Sequence, residues 1–224
     1  MRFCIILIRM NDVAPRQEDR AIALLVDRGM ARLSEFIAEG ITATTISRME
    51  RKGTVVQLGR GLYQLPDAPL EAHHSLAEAA KLVPNGVVCL SSALAFHDLT
   101  DRIPPFVWMA IGPKDWRPKL TQPRVQIMRY GPKTFDKGIE EHVIEKVAVR
   151  IYSPAKTVVD LFYHGRVQRS FYGSEVGLTE AVQAMKEVLR QDKATPAEIA
   201  RFAVDAGIWE KLVQPRLEVL TVDA

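Results

Sequence analysis

The chain has 224 residues, 47% of them hydrophobic and 25% charged, with a formal net charge of +3. That length holds one large domain or two small ones, and two is the working number. The composition excludes a disordered or fibrous chain, and so small a net charge excludes any argument for a polyanionic partner from the total alone.

The chain opens on an apolar run from Phe3 to Ile8, too short for a membrane span and with no small-residue cleavage site after it. Met10, followed by Asn11 and Asp12, is an alternative start, and residues 1–9 could otherwise form an extra strand. Cys4 and Cys89 lie far apart without a partner at metal-ligand spacing. That usage predicts a cytoplasmic, reducing setting with both cysteines as small buried hydrophobes.

A first helix is predicted over 18–28 from the spacing of Ile22, Leu25 and Val26, ended by Gly29. A second stripe, Leu33, Phe36 and Ile37, ends at Gly40, and Thr42 is a good N-cap for a third helix over 43–52. At about 100° per residue, Ala43, Ile46 and Met49 fall on one side of it, and Thr44, Ser47, Arg48 and Arg51 fall opposite, flanked by Thr45 and Lys52. Short hydroxyls admit a helix close to phosphates, and Arg makes the bidentate contact to guanine. Two strand-like runs, 54–58 and 62–65, then flank Gly59-Arg60-Gly61 and predict a hairpin with Arg60 at its apex. This is the element order of a winged helix-turn-helix, whose third helix enters the major groove.

Pro66 and Pro69 read as a linker, dividing the chain at 1–66 and 67–224. Beyond it a helix over 71–82, strands at 87–90, 106–111, 125–130, 142–144 and 147–152, and a short helix over 93–97 capped by Ser91 or Ser92 predict a mixed α+β unit. Ser153-Pro154 opens another helix in the favoured way, and Thr195-Pro196-Ala197-Glu198 is a capping box inside a helical tail of 178–190, 196–206 and 209–220, the last kinked or divided at Pro215. The fold class is therefore α+β with a helical C-terminal tail. Lys114, Arg117, Lys119, Arg124, Arg129 and Lys133, with Trp116 and Tyr130 between them, make a basic stretch that follows a nucleic-acid backbone, docks an acidic partner, or is simply solvated.

Enzyme signatures fail when sought. There is no glycine-rich phosphate loop with Lys-Ser/Thr, no Gly-x-Ser-x-Gly elbow and no His or Cys pair at zinc spacing. Adjacent His73 and His74 read as surface residues, Ser153 and Lys156 as parts of a helix cap rather than a serine-lysine pair, and Glu140, Glu141, Asp98 and Asp101 as solvated acids. No catalytic residue, cofactor or metal is expected.

Residues 55–66, then 83–97, and later Ile151-Tyr-Ser-Pro-Ala-Lys-Thr-Val-Val-Asp160 resemble the AbiEi-type antitoxins of type IV toxin–antitoxin systems, a likeness running from about 18 to 166. The apolar extension at the front departs from it. The resemblance implies a bacterial antitoxin whose winged helix binds inverted repeats in its own promoter as a repressor, and whose larger unit counteracts a nucleotidyltransferase toxin. Thr44, Ser47, Arg48, Arg51 and Arg60 are then the DNA contacts by carry-over, with Thr45 and Lys52 beside them, and the chain is a monomer in solution or a weak dimer on DNA. Two rivals stay open on the residues alone. One is a nucleic-acid-processing enzyme carried to DNA by the winged helix; the other is a non-catalytic interaction module.

Overall fold

The computed structural model describes residues 15–118, 120, 122–172 and 176–222, with side chains for all of these but 165–172, 176–177 and 222. The expectations for Met1 to Met10, Cys4 and Lys119 lie outside the described residues.

In α1 (Gln17–Arg28) the buried stripe is Ala21, Leu24 and Leu25. This is an i, i+3, i+4 set, rotated from the predicted one, so Val26 faces solvent. Gly29 ends α1 at φ 71° and ψ −58°, a pairing that a residue bearing a Cβ rarely adopts. It leads into β1 (Met30–Arg32), which is followed by α2 (Leu33–Ala38), α3 (Ala43–Arg51), β2 (Val56–Gly59) and β3 (Leu62–Gln64). β1 and β2 both pair antiparallel with the central β3. Nothing in the sequence predicts β1, since three residues are too few to show alternation.

The two faces of this small sheet serve two cores. Ala31 and Tyr63 point into the winged-helix core with Leu25, Phe36, Ile46 and Met49. Met30 and Leu62, one position away on each strand, join Leu76, Leu82, Met109 and Ile151 of the larger unit. Strand period two thus makes the wing sheet a wall shared by both units.

The larger unit opens with α4 (His74–Leu82), β4 (Val87–Val88), α5 (Leu90–Phe96), β5 (Val107–Ile111), β6 (Val125–Arg129), β7 (Ile139–Ile144) and β8 (Val147–Tyr152). The sheet order is β6-β5-β4-β8-β7, parallel at β5–β6 and β4–β8 and antiparallel elsewhere. Met109, Ile127 and Ile151 face α4, whereas Trp108, Met128 and Tyr152 face the helices that follow. Those are α6 (Pro154–Tyr172), α7 (Val176–Arg190), α8 (Pro196–Asp205), a π-helical turn at Trp209–Val213 and α9 (Gln214–Val222). Pro215 is the second residue of α9, just past its junction with that turn, and the capping box between Thr195 and Glu198 is formed. Among the described residues no helix is long and apolar enough to cross a membrane.

Some local expectations are corrected. Ser91 and Ser92 do not cap α5 but are buried within it, where Ser92 Oγ donates to Phe106 O and accepts from Trp108 N, so Cys89 takes the cap position. Cys89 is buried as expected. His74 is not a free surface residue, since it lies 2.7 Å from Glu145 and 3.4 Å from Glu78. Ser153 does cap α6, accepting from Lys156 N. Lys156 Nζ, almost wholly buried, pairs with Asp160 one turn on, above the rings of Tyr130 and Tyr152.

The β7–β8 turn locks the two units together. Glu145 and Lys146 both have positive φ (48° and 66°), as a two-residue hairpin turn of this hand requires. The turn sets Glu145 O against Gly29, where a Cβ would overlap it. Lys146 Nζ donates to Val26 O, and the Glu145 carboxylate accepts from Glu71 N at 2.7 Å. Gly29→Ala is expected to cost more than about 2 kcal/mol, because an unfavourable backbone conformation adds to the overlap. Gly131→Ala, which meets nothing within 4 Å, should leave urea unfolding unchanged.

Burial against Tyr130, whose ring centroid lies 4.5 Å away, lowers the pKa of His164 to about 4. In the unfolded chain it titrates near about 6.5. The neutral form therefore contributes stability that is complete above about pH 6.5 and is lost as pH falls toward 4, at up to about 1.4 kcal/mol per pH unit. His164→Gln should make urea-unfolding stability fall less steeply than in the parent between pH 6.5 and 5.

Candidate nucleic-acid interface

Helix α3 is held at its N-terminus by a residue of α1. Gln17 Oε1 accepts from Thr42 N at 3.1 Å and from Thr45 Oγ1 at 2.8 Å, and Thr42 Oγ1 lies 3.2 Å away. Thr42 in turn caps the helix through Thr45 N. Thr45 is consequently buried and leaves the predicted outward face, while Ala43, expected on the core side, is exposed. The buried positions of α3 are Thr45, Ile46 and Met49.

The remaining predicted residues share one exposed surface. Thr44, Ser47, Arg48, Arg51 and Lys52 are all exposed, with the Arg48 and Lys52 side chains 51% and 56% accessible. Arg48 and Arg51 are thus not turned against the larger unit. Among the described residues Arg51 Nε donates only to Ser47 O, within its own helix. Arg48 Nε and Lys52 Nζ both reach Glu18 Oε1 on α1, at 3.1 and 3.4 Å. Lys52, and after it Arg48, hold the Glu18 carboxyl below the ordinary carboxylate range.

Arg60 and Gly61 form the two-residue turn of the wing, with Gly61 at φ 69° as such a turn needs. Arg60 is exposed and makes no ion pair among the described residues. The wing turn also abuts the larger unit, since a Cβ on Gly59 would lie 3.0 Å from Gln122 O. Gln122 lies near the end of the β5–β6 connection, which carries much of the basic stretch. Within that stretch Arg129 is spent internally, donating to Gly112 O at 2.8 Å, Pro113 O at 2.7 Å and Asp115 O at 3.0 Å. Lys114, Arg117 and Arg124 stay exposed, as does Trp116.

A cleft of about 790 Å³ lies elsewhere, lined among others by Asp98, Asp101, Arg102, Glu180, Glu187 and Arg190. In it Arg190 holds the Glu187 carboxyl down to about 2, while burial raises that of Glu180. Among the described residues no three metal-ligating side chains are grouped to hold an ion.

Residues 19–66, from the first turn of α1 to the end of the wing, match the family of AbiEi antitoxin transcriptional regulators. The resemblance seen in the sequence holds for this segment. No curated protein matches. The crystal structure of the RV2827C protein from Mycobacterium tuberculosis is similar in fold, with a TM-score of 0.58 over 93% of this chain and 81% of that one, at 13% identity. The family match spans the helix-turn-helix and wing, and the structural likeness extends through the larger unit as fold alone.

Gln17 and Glu18 escape sequence reasoning. As two polar residues in the first turn of a helix they read as solvent-facing or macrodipole-compensating. Thr45→Val should cost about 1 kcal/mol in denaturant unfolding, because it leaves Gln17 and Thr42 short of a partner. Thr44→Ala and Ser47→Ala, both exposed, should leave stability within about 0.5 kcal/mol of the parent.

Proposed function

We propose that the chain is a sequence-specific DNA-binding antitoxin of a type IV system that represses its own promoter. In this reading α3 lies in the major groove of an inverted-repeat operator. Arg48 and Arg51 read bases or clamp phosphates, Thr44 and Ser47 allow close approach, Lys52 adds a phosphate contact, and Arg60 reaches the flanking backbone from the wing. The observation that carries it is the shared exposure of these side chains on α3, beside a wing whose turn presents a cation, within a segment matching transcriptional regulators.

Residues 1–66 are the DNA-binding unit and 67–224 the unit that counteracts a nucleotidyltransferase toxin encoded beside it. The chain needs no cofactor or metal for this and catalyses no reaction. It works in the cytoplasm, as a monomer in solution that pairs weakly on the two half-sites.

The double variant Arg48→Ala plus Arg51→Ala tests the reading with a duplex from the chain's own upstream region. Affinity should fall by at least about tenfold, and the salt slope should flatten by about one unit for each phosphate that the variant no longer neutralises. Unchanged affinity in a variant with the parent's melting profile would defeat the proposal.

A further inference from the structure

The two acceptors that α1 presents to α3 do different things. Gln17 pins the N-terminus of α3 through Thr42 and Thr45, fixing how the two helices lie. Its neighbour Glu18 reaches the far half of α3, where one carboxylate oxygen accepts from both Arg48 Nε and Lys52 Nζ. Such a half-exposed pair is worth at most about 1 kcal/mol, too little to be explained as a stabilising device. Its geometry is more informative than its energy.

Glu18 takes the Nε of Arg48 and leaves both terminal NH2 groups without a partner among the described residues. A guanidinium held by Nε offers its end-on edge, two parallel donors that match O6 and N7 of guanine. An unheld arginine on the same helix searches a cone of rotamers and spends much of its time on the nearest phosphate. Lys52, one turn further along, is drawn to the same oxygen, so that the carboxylate also offsets part of the cationic field that drives sequence-independent binding.

Building on the DNA-binding reading above, we infer that Glu18 is a positioning residue for operator specificity. It presents Arg48 end-on to a guanine and restrains Arg48 and Lys52 from indiscriminate phosphate binding. Removing it should move specific and non-specific affinity in opposite directions, which neither a structural nor a purely repulsive role would do.

The test measures binding of Glu18→Ala and Glu18→Gln to a duplex from the chain's own upstream region and to an unrelated duplex of equal length, at several salt concentrations. For Glu18→Ala, affinity for the unrelated duplex should rise about two- to fivefold while affinity for the upstream duplex falls, so that the specificity ratio drops about tenfold or more. Glu18→Gln keeps a neutral acceptor for Nε and should raise unrelated-duplex affinity similarly while retaining more of the ratio. In an Arg48→Ala background, Glu18→Ala should leave the ratio unchanged. A parallel rise on both duplexes, or no change on either, overturns the inference. If Arg48→Ala alone leaves upstream-duplex affinity untouched in a folded protein, it is the DNA-binding reading that fails.

Discussion

The molecule depends on one close approach, that of the β7–β8 turn to Gly29. Because Gly29 has no Cβ, the carbonyl of Glu145 occupies the space a side chain would need. Because it adopts φ 71°, α1 stops there and the chain turns directly into β1. Met30 and Ala31 then point to opposite sides, one into the larger core and the other into the winged-helix core. A connection through residues 66–69 alone would have left the helix-turn-helix free to swing. Here the small sheet belongs to both cores, and the orientation of α3 and Arg60 follows from packing.

A second polar layer refines that placement. Gln17 and Glu18 begin α1, yet their side chains are spent on α3. The hydroxyl of Thr45 is consumed in this contact, and the cations of Arg48 and Lys52 are gathered around one acid. Arg51, bonded only to its own helix, and Arg60 have no acid partner among the described residues. The exposed basic surface is therefore divided between cations that an acid holds and cations that none holds among the described residues, a distinction that formal charge does not contain.

In the larger unit, residues 83–97 and 151–160, which resemble the family in sequence but lie beyond the matched residues 19–66, are mostly interior. Val83, Val87, Val88, Cys89, Leu90, Ala93 and Leu94 are buried, as are Tyr152, Lys156, Thr157 and Asp160. Lys156 of the Lys156–Asp160 pair sits over the rings of Tyr130 and Tyr152, and burial raises the Asp160 carboxyl to about 6 even with the ammonium beside it. Removing one member of such a pair would strand the other charge, which is reason enough for both to be present without a surface role. These motifs describe how the unit packs.

The sequence alone determined those elements whose signals are local. Thr42 before α3 and the Thr195–Glu198 box mark helix starts because capping uses residues three apart, and Arg60 between two glycines marks a turn because backbone conformation is set residue by residue. The unbroken apolar run of 107–111 and the alternation of 147–152 likewise declare strands. Tertiary structure decided the rest: the three-residue β1, which exists only by pairing with β3; the burial of Thr45; the engagement of His74 by Glu145; the internal use of Arg129; and the capture of Arg48 by Glu18 across 30 positions. Each of these rests on a partner distant in the chain. A period or a cap is written within one turn of backbone, whereas a hydrogen bond between segments is written only when the whole chain has closed around it.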